Sequence, residues 1–377
     1  MREFIMSACD LHDGSMILKV AVGTAAAEKW VYDNNAPSRR KMIARLKALS
    51  KAHRGMPILF AYESCGLGYY LRDELEGAGI RCLVLPSTSL PKSPKNKLNK
   101  NDEKDADRIL AVLRSIQGGQ EVSEVWVPPA EMRADRDLVR TRVSAAEKLA
   151  SIRTQIRSLF KRLGRKCHGT TSRQDREWLQ KQLERLPSGT DEALESLLRQ
   201  MDFYEREVAH LDERIHDLAE SPRYRKLVEA VRQEEKGVGE LVAMVFLTEL
   251  GDCLRFHNRR KVGGYLGLAP RSDETGKADD RKGHITHQGP AVVRKMLCQA
   301  VWCQNRCAPR AKARYEKLVA RNPQHKKIAV VAMMRQLAVR MWHRAVAVTE
   351  SGIEVEAGRA ASGPLLAARA ERSAIGP

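Results

Sequence analysis

The 377-residue sequence predicts an α/β domain followed by an all-α remainder. Three observations predict it. Up to about residue 127, short apolar runs alternate with amphipathic segments. From Ala130 the apolar residues recur at a three-four spacing over long stretches, the period of packed helices. The charge is uneven: residues 253–345 hold 21 Lys and Arg against 5 Asp and Glu, most of the formal +19. A chain of this length exceeds what one small core supports, so two or three domains are expected.

Residues 5–9, 16–22 and 29–32 read as three strands, with Asp13-Gly14 as the turn between the first two. A basic amphipathic helix follows Pro37 and Ser38. Residues 58–62 form a fourth strand, a helix runs through Tyr69-Tyr70-Leu71, and residues 80–86 form a fifth strand. Three leading strands followed by alternating helices and strands is the order of a ribonuclease-H-like domain. Residues 91–100, rich in Lys, Asn and Pro, read as a mobile loop. A helix begins just after it, at Asp102.

In the second part, Leu138, Leu149, Ile152, Ile156, Leu159 and Leu163 keep the helical spacing. After a break at Gly169-Thr170-Thr171-Ser172 it resumes through Leu194, Leu197, Met201, Tyr204, Val208, Leu211, Ile215 and Leu218. Sustained spacing of this kind predicts a coiled coil. The break lets the chain fold back as an antiparallel arm, suited to oligomer contacts or to gripping an elongated partner; packing within one chain is the plainer alternative. Gly237-Val238-Gly239 between two helices is a short motif that can set backbone N–H groups against a phosphate. The expected division is 1–127 for the α/β domain, 128–225 for the arm, 226–350 for a helical C-terminal domain and 351–377 for a disordered Ala/Gly/Ser-rich tail.

The charge calls for a polyanionic partner, nucleic acid before membrane, bound with steep salt dependence. The eight cysteines form no zinc or disulfide framework; Cys298, Cys303 and Cys307 fall in an apolar helical setting and read as buried free thiols. The N-terminus enters a strand with no signal-peptide pattern, and no apolar run is long enough to cross a bilayer. A soluble cytoplasmic protein is expected.

The chemistry is carried by four acids. Asp10 closes the first strand and Glu63 the fourth, and Asp102 and Asp105 stand three residues apart, hence on one face of a helix. Asp13, in the turn, and Asp107, rotated off that face, are set aside. Any one of these acids alone is more often a surface residue. Together, on two strands and a helix of a basic protein, they have the layout of a two-metal phosphodiester site holding Mg2+.

A second cluster runs from Tyr265-Leu266-Gly267-Leu268-Ala269-Pro270 through Arg271, Ser272, Thr275, Gly276 and Lys277 to Arg281-Lys282-Gly283-His284-Ile285-Thr286-His287. With the acids, Lys100-x-Asp102-x-x-Asp105-Ala106 and Gly237-Val238-Gly239, the sequence resembles the DEDD-type insertion-sequence transposases of the insertion-sequence-110 type, the bridge-RNA-guided recombinases. The resemblance spans nearly the whole ordered chain. It implies a RuvC-like N-terminal domain bearing Asp10, Glu63, Asp102 and Asp105. It also implies a helical C-terminal transposase domain whose hydroxyl nucleophile joins a DNA 5′-phosphate, a non-coding bridge RNA pairing with donor and target DNA, and a tetramer in which the acids of one subunit meet the nucleophile of another.

The family's nucleophile is a serine, and the matching position here is Thr275. Its hydroxyl has similar acidity, but the extra methyl crowds it. Ser272 is the second choice and an inactive copy the third. His287 stands where relatives often have a lysine. Lys100, Arg271, Lys277, Arg281, Lys282, Arg294 and Lys295 are the expected nucleic-acid contacts. A metal-dependent RuvC-like nuclease without a covalent step is the alternative, and a non-catalytic nucleic-acid scaffold a further one. The hydroxyl cluster at 272–276 favours the recombinase, since a simple nuclease needs only the acids.

Overall fold

The structure, a computed structural model, describes residues 3–87, 90, 102–233, 236–272, 282–321 and 323–360. Lys100, Thr275, Lys277 and Arg281 lie outside the described residues, and for Asp102, Ser272 and Lys282 only the backbone is described. The chain divides into two compact units, Met1–Pro128 and Pro129–Pro377.

The first unit is a mixed five-stranded sheet flanked by helices. Its strands are β1 (Ile5–Leu11), β2 (Ser15–Val22), β3 (Glu28–Asp33), β4 (Ile58–Glu63) and β5 (Arg81–Leu85), in the spatial order β3-β2-β1-β4-β5. The first three form an antiparallel meander, and β4 and β5 join β1 in parallel through α1 (Ala36–Ala52) and α2 (Tyr70–Gly77). Side-chain alternation sorts the apolar residues onto two faces. Ile5, Cys9, Leu18, Phe60 and Tyr62 pack with Met42 and Leu46 of α1 and Leu71 and Leu75 of α2. Met6, Ala8, Leu59, Ala61 and Leu83 face the other way, against Ile109, Leu110 and Leu113 of α3 (Asp102–Gln117).

The second unit is helical. A long α4 (Ala130–Arg162), a short α5 (Arg173–Leu183) and a long α6 (Thr190–Ala219) come first. Helices α4 and α6 run antiparallel: Arg142 pairs with Asp212, and further along α4 Arg153 pairs with Glu205. Helix α5 is an addition to the expected two-helix hairpin. Ser172, in the predicted break, caps it through a reciprocal bond with Asp175, a start signal for a new helix.

Helices α7 (Arg225–Arg232), α8 (Glu240–Leu250), α9 (Arg259–Tyr265), α10 (Ala291–Cys307), α11 (Pro309–Arg321) and α12 (Lys326–Ala360) follow, with a hairpin of β6 (Pro270–Ser272) and β7 (Lys282–Ile285) between α9 and α10. Every residue of α8 from Val242 to Leu250 is buried. Apart from Thr248 and Glu249 these buried positions are apolar and face all sides, as suits a central helix.

Two apolar cores lie within this unit. Leu149, Ile156, Phe160, Leu179, Leu194 and Met201 form a core at the far end of the arm. Its foot, through Val139, Val143, Ile215 and Ala219, belongs to the core of α7–α12. The buried positions of α6 include Leu198 and Ala219, and Tyr204, Val208 and Leu211 are half-buried. A straight helix drifts off a seven-residue repeat in this way. The expected tail at 351–377 also starts too early, because α12 continues through Ala360. Its Glu354, Glu356, Ala357 and Ala360 are strong helix formers.

All eight cysteines are free. Cys9, Cys82 and Cys253 are buried, whereas Cys298 and Cys303 are half-buried and Cys307 exposed, so the last three are less enclosed than expected. No helix among the described residues is long and apolar enough to cross a membrane.

Candidate active site

Strands β1 and β4 are parallel neighbours, with Ala8 opposite Ala61 and Cys9 opposite Tyr62. One residue further along each strand stand Asp10 and Glu63. Equal register in parallel strands puts two side chains on one face about 4.8 Å apart at the backbone. That face is set by parity: Met6 and Ala8 on β1 and Leu59 and Ala61 on β4 all lie in the core covered by α3. The two acids therefore sit side by side at the carboxyl end of the sheet, on the face that α3 covers.

Helix α3 runs antiparallel to β1. Near its C-terminus Arg114 donates to the carbonyl of Ala25, beyond the end of β2 that pairs with Ile5. Near its N-terminus Asp107 pairs at 3.6 Å with Lys19, which lies opposite Ala8. From Asp107 back to Asp102 the helix rises roughly 7–8 Å. From Ala8 forward to Asp10 the strand rises roughly 7 Å. The first turn of α3 thus reaches the level of Asp10.

The described side chains have partners of their own. Asp10 Oδ2 and His12 Nε2 are 3.0 Å apart, with Asp10 at 15% exposure. Arg108 Nη1 donates to Asp105 Oδ1 at 2.6 Å. Among the described residues no three acid, histidine or cysteine side chains are close enough to hold an ion together. The carboxylates do supply hard oxygen donors, which magnesium prefers. The adjacency of Asp10 and Glu63 supplies two of them on one face, so the residues fit a magnesium ion by donor type. His12 was passed over in the sequence. The signal was its position two residues after Asp10.

The hydroxyl-rich segment grows out of the β6–β7 hairpin, whose tip at 273–281 lies outside the described residues. The hairpin's foot is closely packed. A Cβ at Gly267 would stand 2.0 Å from the carbonyl oxygen of Gln288, and one at Gly289 would stand 1.9 Å from that of Tyr265. Both glycines also have positive φ, 65° and 89°, so only glycine allows these two turns to interlock. Arg294 fastens them, donating through Nη1 to the carbonyls of Leu266, Gln288 and Gly289 at 3.1, 3.4 and 3.1 Å.

Arg294, an expected nucleic-acid contact, thus also has a structural role at the hairpin's foot. Its guanidinium satisfies turn carbonyls that have no strand partner. Lys295, another expected contact, is ion-paired with Glu147 of α4. Arg271, on β6, is exposed.

Comparison with known proteins places this combination among the DNA transposases. Residues 233–316, which contain α8, the hairpin and α10, match the profile of the transposase IS116/IS110/IS902 family. A Sinorhizobium fredii protein, y4qE, which carries a transposase name, is 30% identical over 76% of this chain and 74% of its own. A Pseudomonas aeruginosa protein named as a family 20 transposase is 24% identical over 80% of this chain and 88% of its own. The transposase for insertion sequence element IS1533 of Leptospira borgpetersenii is 26% identical over 64% and 69%. The chain belongs to the IS116/IS110/IS902 family of transposases, which are DNA recombination enzymes.

Proposed function

We propose that the protein moves an insertion sequence by RNA-guided DNA strand exchange, with Thr275 as nucleophile and Asp10, Glu63, Asp102 and Asp105 as the acid cluster. The observation that carries the reading is the placement of Asp10 beside Glu63 at the end of two parallel strands, on the face covered by α3. The sheet order supports a ribonuclease-H-like, RuvC-like domain. Magnesium, when held by these carboxylates, supplies charge stabilisation at the phosphate oxygens.

The chain's own residues do the rest. The interlocked hairpin foot carries the segment that contains Thr275. Its Oγ1 forms a bond to the phosphorus of a DNA phosphodiester as the bond from phosphorus to the 3′ oxygen breaks. The threonine proton is released and the 3′ oxygen leaves as a hydroxyl after taking up a proton. A 3′-hydroxyl of another strand reverses the step and completes the exchange. A non-coding RNA that pairs with donor and target DNA accounts for the choice of sites, and a tetramer on DNA brings the acids of one subunit to the hydroxyl of another.

Thr275→Ala should abolish exchange and leave RNA binding intact. Thr275→Ser should retain or raise activity, because a primary alcohol is less hindered. Mass spectrometry of a trapped protein–DNA adduct locates the link. An adduct at Ser272, or full activity in Thr275→Ala, rejects the assignment.

A further inference from the structure

The turn between β1 and β2 is gripped by a residue from the far end of β3. His12, whose Nε2 lies 3.0 Å from Asp10 Oδ2, is the first residue after β1. Its backbone N–H donates to the Ser15 carbonyl at 2.9 Å and closes the turn. Its own carbonyl accepts a hydrogen bond of 2.7 Å from Nδ2 of Asn34. The Asn34 backbone N–H donates to the Gly14 carbonyl at 3.0 Å. One residue thus holds both sides of the turn that carries His12.

Two asparagines stand together after β3, and they do different things. Asn35 caps α1, accepting from the Ser38 N–H at 2.9 Å. Asn34 is half-buried and turned the other way. Its neighbours fix which way its amide points. Arg39 Nη1 can only donate and faces Oδ1 at 3.1 Å, whereas the His12 carbonyl can only accept and so faces Nδ2. The Tyr70 hydroxyl also donates to Oδ1, at 2.9 Å.

Arg39 is itself anchored. Its Nε and Nη2 fork onto the two carboxylate oxygens of Glu74 on α2, each at 2.8 Å, a geometry that fixes the guanidinium plane. The guanidinium also lies 4.7 Å from the centre of the Tyr70 ring, and the Arg39 side chain is only 13% exposed. A chain of contacts therefore runs from α2 through Arg39 and Asn34 to the His12 backbone, and from the His12 ring to Asp10. Carboxylates that hold a metal are oriented by such outer partners, whose loss weakens metal binding without removing a ligand.

We infer that Asn34 is a positioning residue for the acid site. Held by Arg39 and Tyr70, it fixes the His12 carbonyl, and through the His12 ring it sets the Asp10 carboxylate for a divalent cation. The inference rests on the reading of Asp10 as a ligand. It uses neither Thr275 nor the RNA.

The test is binding of Mn2+ to the full chain, followed by electron paramagnetic resonance, since manganese takes the same carboxylate oxygens as magnesium. Asn34→Ala should weaken binding about 10-fold, the low end for loss of an outer partner. Asn34→Asp keeps an oxygen for Arg39 and Tyr70 but sets a second one against the His12 carbonyl. It should weaken binding at least as much. In a His12→Ala background, Asn34→Ala should change binding less than about 2-fold further, because the two residues act in series. Ser50→Ala is the control. It removes a side-chain bond of 2.7 Å to the Met56 carbonyl near the other end of α1, and should lower the melting temperature of the metal-free protein while leaving Mn2+ affinity as in the parent.

Parent affinity in Asn34→Asp would overturn the inference, as would additive losses in the double variant. An equal loss in Ser50→Ala would reduce the effect to general loosening of the domain and overturn it too. Tyr70→Phe, which takes away one bond to Asn34 and keeps the ring, repeats the test should the Asn34 variants not fold, with an expected loss of about 3-fold. Asp10→Asn separates the two readings. If it abolishes Mn2+ binding while the Asn34 variants bind as the parent does, only the role of Asn34 falls; if it binds as the parent does, or the parent binds no Mn2+, the acid site falls and the inference with it.

Discussion

Arg140 of α4 grips Glu249 of α8 with two hydrogen bonds, Nε to Oε1 at 2.5 Å and Nη2 to Oε2 at 2.9 Å. The Glu249 side chain is 3% exposed. Its backbone carbonyl receives Arg136 Nη2 at 3.0 Å and the Tyr265 hydroxyl at 2.9 Å. A carboxylate in the last turn of a helix opposes the helix dipole, so Glu249 depends on these cations. The result ties the foot of the arm, the central helix and the turn beneath the hairpin at one residue.

Removing Arg140 should leave a buried, uncompensated carboxylate. Arg140→Ala should cost about 2–3 kcal/mol, below the usual ~3–5 for a fully buried pair because the arginine is half-exposed. Arg140→Lys should recover only part of this, since it cannot donate in a fork. Urea denaturation of the three proteins checks it, and an unchanged midpoint for Arg140→Ala would reject the clamp.

The interlocked glycines make a sharper claim. Gly267→Ala and Gly289→Ala should each cost at least about 2 kcal/mol from backbone strain and the clash with a carbonyl. Strand exchange should fall further than stability does, because the hairpin that carries residues 273–281 is displaced. Gly14→Ala, whose Cβ meets nothing within 4 Å, is the control. Activity in either hairpin variant equal to that of the control would show that the foot does not set the loop.

His216 of α6 faces Glu240, at the start of α8, with Nδ1 3.1 Å from Oε2. The hydrogen bond to Glu240 and its charge raise the His216 pKa above its ordinary 6.5. A raised histidine stabilises the fold when protonated. The gain is complete below the unfolded value of 6.5 and is lost as pH rises through the higher folded value. The difference in melting temperature between the parent and His216→Ala should therefore be largest in mild acid and vanish in mild alkali. A difference that does not change with pH would remove the linkage.

Much of the first unit was legible because short apolar runs bounded by turn residues are a local signal. Residues 5–9 and 58–62 stand out as short apolar runs, so Asp10 and Glu63 could be placed at strand ends from the sequence, whereas the pairing of the two strands needed the structure. His12 was passed over, since its contact with Asp10 also depends on where the chain leaves β1. In the second unit the three-four spacing gave α4 and α6 but not the partner of each face. Val139 and Leu149 look alike in sequence, yet they belong to different cores, because α8 packs beside one and α5 closes over the end of the arm that holds the other. The role of Arg294 was hidden for a similar reason: the carbonyls it bonds are orphaned only once Gly267 and Gly289 interlock.

The strand-end pair yields the most direct test of the chemistry. Asp10→Asn and Glu63→Gln keep size but remove the charge that a magnesium ion requires. Each should reduce strand exchange by at least about 10³-fold while leaving folding and RNA binding near the parent's. His12 acts through Asp10, whose Oδ2 it contacts at 3.0 Å. His12→Ala should cost less, about 10- to 100-fold, and should also raise the magnesium concentration needed for half-maximal exchange. Titrating magnesium against exchange rate in the parent and the three variants separates these effects. Full activity in Asp10→Asn would dismiss the acid cluster, and an unchanged magnesium requirement in His12→Ala would limit that histidine to a structural contact.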